Sequence, residues 1–219
     1  MTEQNKKLLS EAFLQLPTGN ISDAMDKLGI RRGAVSGVLP NEKTACKAVG
    51  FARTIQQMRR KTAYDGKNLA KQASIIDSQT EPGDLLVIDM TDIRDVCTGG
   101  ALLAKRMKIR GVVGELTNGC LRDAEELAEM KFPVYFGGTS PVKSAMDVET
   151  VGVDVPVMIG GVQICPGDLI CMDRSGVVVV PSVRAAEVLE AAQEIRKREA
   201  KMEKLILEGF SIVEARNVR

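Results

Sequence analysis

Residues 82–136 read PGDLLVIDMTDIRDVCTGGALLAKRMKIRGVVGELTNGCLRDAEELAEMKFPVYF, and this stretch decides the fold. Pro82-Gly83-Asp84 is a turn that feeds the apolar run Leu85 to Ile88, which has the length of a strand. Ala101 to Ile109 reads as a helix, Val112 to Leu116 as a strand, Arg122 to Met130 as a helix and Val134 to Phe136 as a strand. Strands alternating with helices in this way make a βαβαβ-like unit with a parallel sheet at its centre.

Toward the N-terminus, Leu8, Leu9, Ala12, Phe13 and Leu16 recur at helical spacing, so Glu3 to Leu16 is a helix that Pro17 ends. Asn20 is then the N-cap of a second helix, Ile21 to Leu28, closed by Gly29. Ala48 to Gln57 follows as a strand and Asn68 to Ser78 as a helix. Beyond Thr139 the texture changes to short strands between glycine turns, at residues 155–157, 160–163, 169–171 and 176–180, which implies mostly antiparallel sheet. Pro-Gly-Asp-Leu occurs at residues 82–85 and again at 166–169, and recurrent turn chemistry explains this more simply than duplication. Ser182 caps a last helix running to about Glu208, roughly 40 Å at about 1.5 Å per residue. A helix of that length is expected to reach onto a neighbouring subunit. The division that follows is one α/β domain over residues 1–181 and a helical extension over 182–219.

Composition removes whole classes of mechanism. The chain has no histidine, which excludes a Ser-His-Asp triad, a His-ligated zinc and a histidine general base. Any metal must be a hard ion held by carboxylate, carbonyl and water oxygens, which means magnesium or manganese. A net charge of +1 provides no basic field for a phosphate backbone, so nucleic acid is not an expected partner. Cys46, Cys97, Cys120, Cys165 and Cys171 form an odd set without a Cys-x-x-Cys pair, which implies free thiols in a reducing compartment. Residues 1–6 carry no apolar signal core and no run is long enough to span a bilayer, so the expectation is a cytoplasmic protein with no membrane contact.

Two places can carry chemistry. At Thr98-Gly99-Gly100-Ala101-Leu102-Leu103 a glycine pair opens a helix, whose unpaired amides attract an anion. The plainer alternative is a loop turn, and nucleotide motifs are absent. At Thr117-Asn118-Gly119-Cys120-Leu121-Arg122-Asp123 a strand end and a glycine turn lead into another helix. There Arg122 offers a bidentate fork for a carboxylate and Asp123 an oxygen ligand for a hard metal, a pair that complements a 2-oxo acid. Glu126, three positions on, could support the metal through water. The structural alternative is a surface ion pair whose aspartate complements a helix dipole. Lys105 and Lys108 are the only other candidates, as Schiff-base lysines, and two lysines on a helix more often face solvent.

At these residues the chain resembles the RraA-like family, which includes metal-dependent 4-hydroxy-4-methyl-2-oxoglutarate and 4-carboxy-4-hydroxy-2-oxoadipate aldolases. The resemblance runs through Ile21-Ser22-Asp23-Ala24, Pro82 to Leu85, Gly100 to Ala104, Gly119 to Asp123, Gly138 to Pro141 and Pro166 to Pro181, in order and at matching spacing. It implies an α/β fold of the swivelling β/β/α type, with a central mixed sheet and a long C-terminal helix, assembled as a homotrimer or hexamer. It also implies that Gly100, Ala101, Leu102 and Leu103 hold a pyruvyl group, that Arg122 contacts substrate and that Asp123 ligates magnesium or manganese. Glu199 matches a carboxylate that a neighbouring subunit contributes. The reaction implied is cleavage of a short 2-oxo acid, by retro-aldol chemistry or by decarboxylation of oxaloacetate. Two departures stand out: Ala101 occupies a position often acidic in the aldolases, and Gly99 one often bulky. The other function the resemblance offers is a protein-binding regulator of a ribonuclease, and the presence of Asp123 favours the enzyme.

Overall fold

The computed structural model describes residues 2–41, 47–91 and 93–217; Cys46 lies outside them. Helices α1 (Glu3–Leu14) and α2 (Thr18–Lys27) lead to the short strands β1 (Ala34–Val35) and β2 (Leu39–Pro40). Next come β3 (Ala48–Arg59), α3 (Gln72–Gln79), β4 (Asp84–Asp89), β5 (Cys97–Gly99), α4 (Ala101–Ile109), β6 (Gly114–Thr117) and β7 (Cys120–Leu121). They are followed by α5 (Ala124–Glu129), β8 (Val134–Phe136), β9 (Gly138–Thr139), β10 (Val148–Val153), β11 (Val157–Ile159) and β12 (Val162–Ile164). The last elements are β13 (Leu169–Asp173), β14 (Gly176–Val180), α6 (Ala185–Leu207) and α7 (Ile212–Asn217).

The main sheet has the order β1-β14-β13-β3-β4-β6-β8-β2, with β10 pairing the far end of β3. β3, β4, β6 and β8 are parallel, as the alternating pattern requires, while β1, β2, β10, β13 and β14 pair antiparallel. Laid flat, the two edges would stand roughly 34 Å apart at about 4.8 Å per strand. Yet β1 and β2 are consecutive in the chain, and the link from Val35 to Leu39 reaches about 14 Å at most. The sheet is therefore rolled until its edges nearly meet.

Side-chain alternation sorts the apolar residues around this roll. Leu85 and Val87 point inward with Ala52, Leu116, Tyr135, Ile170 and Val179, and the β11–β12 hairpin adds Val157, Ile159 and Ile164. Leu86 and Ile88 point outward beneath α3, α4 and α5, with Ile75, Met107 and Leu127. Val49, Phe51, Leu169, Cys171 and Val178 face α1, α2 and α6, meeting Phe13, Ile21, Met25, Val188 and Ala192. Apolar cover on both faces makes β4 buried along its whole length.

Several boundaries move for identifiable reasons. α1 stops at Leu14, and α2 begins at Thr18 because an aspartate distant in sequence caps it: Asp173 accepts from Thr18 N at 2.8 Å and Thr18 Oγ1 at 2.7 Å. Asn20 is therefore inside the helix and does not cap it. Ser182 is not an N-cap either; it starts a single 3-10 turn, Ser182–Arg184, with its amide donating to Asp168 Oδ1 at 3.1 Å. α6 consequently spans 23 residues, about 34 Å. α3 begins at Gln72, since Asn68 Oδ1 accepts from the Ala70 amide and turns the chain first. The repeated Pro-Gly-Asp does make one turn twice: Asp84 Oδ2 accepts from Glu81 N, and Asp168 Oδ2 from Cys165 N, both at 2.9 Å. Gly83 and Gly167 hold φ of 88° and 83° in these turns, a region that favours glycine.

Candidate functional site

The two glycine-bearing loops meet in a small second sheet that the sequence reading missed. β5, β7 and β9 pair in parallel across the carboxyl ends of β4 and β6, with Cys97 opposite Cys120, and Cys120 opposite Gly138. Strands of two or three residues leave no periodicity to detect. The pairing carries the Gly99-Gly100 turn against Arg122 and Asp123, at the strand ends where open α/β sheets form their crevices.

The contact is close. Arg122 N donates to Gly99 O at 3.1 Å, and Ala101 N donates to Asp123 Oδ2 at 3.1 Å. A Cβ on Gly100 would lie 2.3 Å from Asp123 Oδ2 and 2.7 Å from Arg122 Cγ, so a larger residue there would displace both side chains. Asp123 sits at φ +58°, a left-handed conformation that aspartate tolerates better than most residues. It thus starts α5 without capping it and lends a carboxylate oxygen to the first amide of α4 instead. The dipole alternative is realised, but toward the other helix. Its Oδ1 meets no donor among the described residues, and Arg122 Nε stands 3.5 Å from Oδ2, leaving the terminal guanidinium nitrogens without a protein acceptor there.

A cleft of about 190 Å³ opens beside this corner. It is lined by Gly99, Gly100 and Arg122 together with Asn68, Gln72 and Lys143. The segment before Lys143 is zipped onto β5, with Cys97 N donating to Val142 O at 2.8 Å. Gln72 is buried and reaches Gln57 Oε1 at 3.2 Å and Ser144 Oγ at 3.4 Å, which fixes its side chain. The amides of Leu102 and Leu103 lie in the first turn of α4, where helix geometry provides no intrahelical acceptor. The Leu102 side chain is 74% exposed at the mouth, and Leu103 packs under Gly99. The charged residues that line it are Arg122 and Lys143, with Asp123 packed against Gly100 at its side, so the cleft favours an anion, and its volume suits a few carbon atoms. Asn68, Gln72 and Lys143 come from separate segments, and no spacing in the sequence ties them to Asp123.

The remaining candidates lie elsewhere. Glu126 is exposed and pairs with Lys105 at 3.3 Å, and Lys108 Nζ donates to Met130 O at 3.1 Å; neither lysine lines the cleft. Glu199, exposed on α6, accepts from Asn20 Nδ2 at 2.6 Å within its own chain. Cys97, Cys120, Cys165 and Cys171 are free thiols, and burial raises the pKa of each. No cluster of three carboxylates or thiols exists among the described residues, so no protein-built metal cage is present there. Nor is any described helix long and apolar enough to cross a membrane.

Comparison with known proteins converges on one group. A profile of the RraA-like family, described as Aldolase/RraA, matches residues 18–179. A Halalkalibacterium halodurans protein named provisionally as a 4-hydroxy-4-methyl-2-oxoglutarate aldolase is 29% identical over 203 residues, covering 93% of this chain and 90% of its own. A solved structure of an uncharacterized Pseudomonas syringae protein superposes with a TM-score of 0.85 at 28% identity, over 96% of this chain and 93% of that one. Streptomyces coelicolor RraAS2, described as an unusual member of the RNase ES inhibitor RraA family, superposes at 0.76 with 29% identity, over 88% and 93%.

Proposed function

This chain belongs to the RraA-like family, and from that premise we propose that it is a metal-dependent carbon-carbon lyase acting on a short 2-oxo acid. The observation that carries the reading is the Gly100–Asp123 corner, where a carboxylate with one open oxygen packs against Gly100 beside a small cleft lined by Gly100, Leu102, Leu103 and Arg122. Its products would be pyruvate from 4-hydroxy-4-methyl-2-oxoglutarate-type substrates and pyruvate with carbon dioxide from oxaloacetate.

Magnesium and manganese are commonly held by one or two carboxylates, with substrate and water oxygens completing the shell. Asp123 Oδ1 is a donor of that kind, so the residues fit a hard cation that arrives with its substrate. Glu126 can add support through water. Bound there, the cation supplies Lewis-acid stabilisation of the charge that develops on the 2-oxo acid. Arg122 holds the substrate carboxylate in a bidentate grip, and the Leu102 and Leu103 amides face its oxygens. Lys143 lines the same cleft and is available for a second, distal carboxylate. Ala101 is buried and carries no acid, and no histidine exists to take the hydroxyl proton that retro-aldol cleavage releases. Decarboxylation needs no such proton removal, so oxaloacetate is the faster substrate.

The reading includes a cytoplasmic homotrimer or hexamer in which Glu199 of a neighbouring subunit approaches the cleft. Apolar residues left exposed around the end of α6, with Leu207 at 81% and Val213 at 68%, support such an assembly.

The test measures pyruvate release from both compounds with magnesium, manganese or chelator, in wild type and in Asp123→Ala. Metal-dependent release that falls at least a hundredfold in the variant is expected. No release from both compounds removes the aldolase assignment and leaves a different oxo-acid substrate or the ribonuclease regulator, for which the likeness to RraAS2 speaks.

A further inference from the structure

Glu115 occupies the middle of β6 and is 3% exposed. Its cross-strand neighbours are Leu86 on β4 and Val134 on β8. α4 turns Ala104 and Met107 toward this layer, while its Lys105 and Arg106 pair outward with Glu126 and Asp77. α5 contributes Leu127 and leaves Glu125 and Glu129 in solvent. From β5 come the hydroxyl of Thr98 and the thiol of Cys97, which burial keeps protonated. Beyond β7, Arg122 is engaged with Asp123. No cation among the described residues pairs with Glu115, and a lone buried carboxylate is strongly disfavoured.

Proton counting leads to the same state. Thr98 Oγ1 lies 3.1 Å from Glu115 Oε1 and 3.2 Å from the carbonyl oxygen of Cys120. A hydroxyl has one proton and cannot donate to both acceptors. Both contacts are satisfied when Glu115 is protonated, donates to Thr98 Oγ1, and Thr98 donates to Cys120 O. The resulting chain joins β6 to β5 and β5 to β7. Those last two strands lead directly into the Gly99-Gly100 turn and the Arg122-Asp123 corner.

We propose that protonated Glu115 is a positioning residue, a latch that holds β5 on β7 and so sets the geometry of the cleft. Burial raises its pKa from 4.5 to about 7, so the latch is closed in mild acid and opens as the pH rises past neutrality. On opening, the Glu115 proton passes to water, the Thr98 hydroxyl turns to the carboxylate, and Cys120 O loses its side-chain donor. For its effect on substrate the inference rests on the oxo-acid reading of the cleft; the latch itself does not.

The experiment compares the full chain with Glu115→Gln, whose Nε2–H can donate to Thr98 at any pH. Amide hydrogen exchange at residues 97–101 and 120–123 is measured without ligand at pH 6 and pH 8.5. Equal protection at pH 6 is expected, with wild type at least about tenfold less protected than the variant at pH 8.5 at Ala101 and Arg122. Pyruvate affinity with magnesium falls by a similar factor in wild type alone. Equal exchange at pH 8.5, or weaker protection of the variant already at pH 6, overturns the latch. If the exchange pattern holds while pyruvate binds at neither pH, the latch stands and the oxo-acid reading falls. Should the variant fail to fold, infrared spectra of wild type decide. A carboxylic-acid carbonyl band that fades with a midpoint near pH 7 supports the latch, and its absence at pH 6 overturns it.

Discussion

A methyl group at position 100 would collide with both Arg122 and Asp123, which makes Gly100→Ala a test of the corner separate from its charges. The expected outcome is loss of pyruvate release by about a hundredfold or more, with a stability cost of roughly 1–3 kcal/mol as the Arg122 and Asp123 side chains are displaced. Steady-state rates and thermal unfolding measure the two. Glu115 makes a second prediction through linkage. Its carboxyl is ionised above 4.5 in the unfolded chain and only above about 7 in the folded one, so the folded state binds the extra proton between those values. Stability therefore declines as pH rises through that window and is flat above it, by about 3 kcal/mol at about 1.4 kcal/mol per pH unit. Glu115→Gln removes the decline, and urea unfolding at pH 5 and pH 8 would show it; an unchanged gap between the two proteins contradicts it. Arg122 and Asp123 were legible in the sequence because a glycine turn at a strand end advertises them. Glu115, Asn68 and Lys143 were not, since a glutamate inside a strand or a lysine in a loop has no local pattern.

Among the elements, the long ones followed their periodicity, and β4, α4 and β8 stand close to where the residue pattern puts them. At α2 the shift arose because the deciding partner was distant in sequence: Asp173 starts the helix from the far end of the chain. Burial by itself pushes the Asp173 carboxyl up, but the Thr18 amide and hydroxyl and the Ser175 amide bring it below the usual carboxylate range. A depressed carboxyl stabilises the fold above its unfolded pKa, and that contribution is lost as pH falls through the folded value. Asp173→Ala should cost about 1–2 kcal/mol at pH 7, the worth of an N-cap, and the difference from wild type should shrink toward pH 2. A denaturant series at the two pH values checks this. Inside the same helix, Asn20 Oδ1 is buried with no hydrogen-bond partner among the described residues.

For the whole molecule, the parallel centre and the antiparallel remainder were readable, whereas the rolling of the sheet was not, because curvature belongs to no single segment. α6 belongs to the core over its first half: Val188, Ala191 and Ala192 cover Val49, Phe51 and Val178. Removing residues 208–219 should keep a cooperative transition, with a lower melting temperature as the contacts of the buried Ala215 are lost. Removing everything after Arg184 should abolish the cooperative transition. The rolled sheet also bears on how the chain reaches this state. Its seam lies between residues 34 and 40, while the strand that pairs with Ala34 and Val35 ends at Val180. Loop closure over such a separation is paid late, so folding is expected to be slow, on the ms–s scale of topologies rich in distant contacts. During synthesis the early strands must wait, with their valines and isoleucines uncovered, until the ribosome has released β14, and that interval is when a chaperone has most to hold.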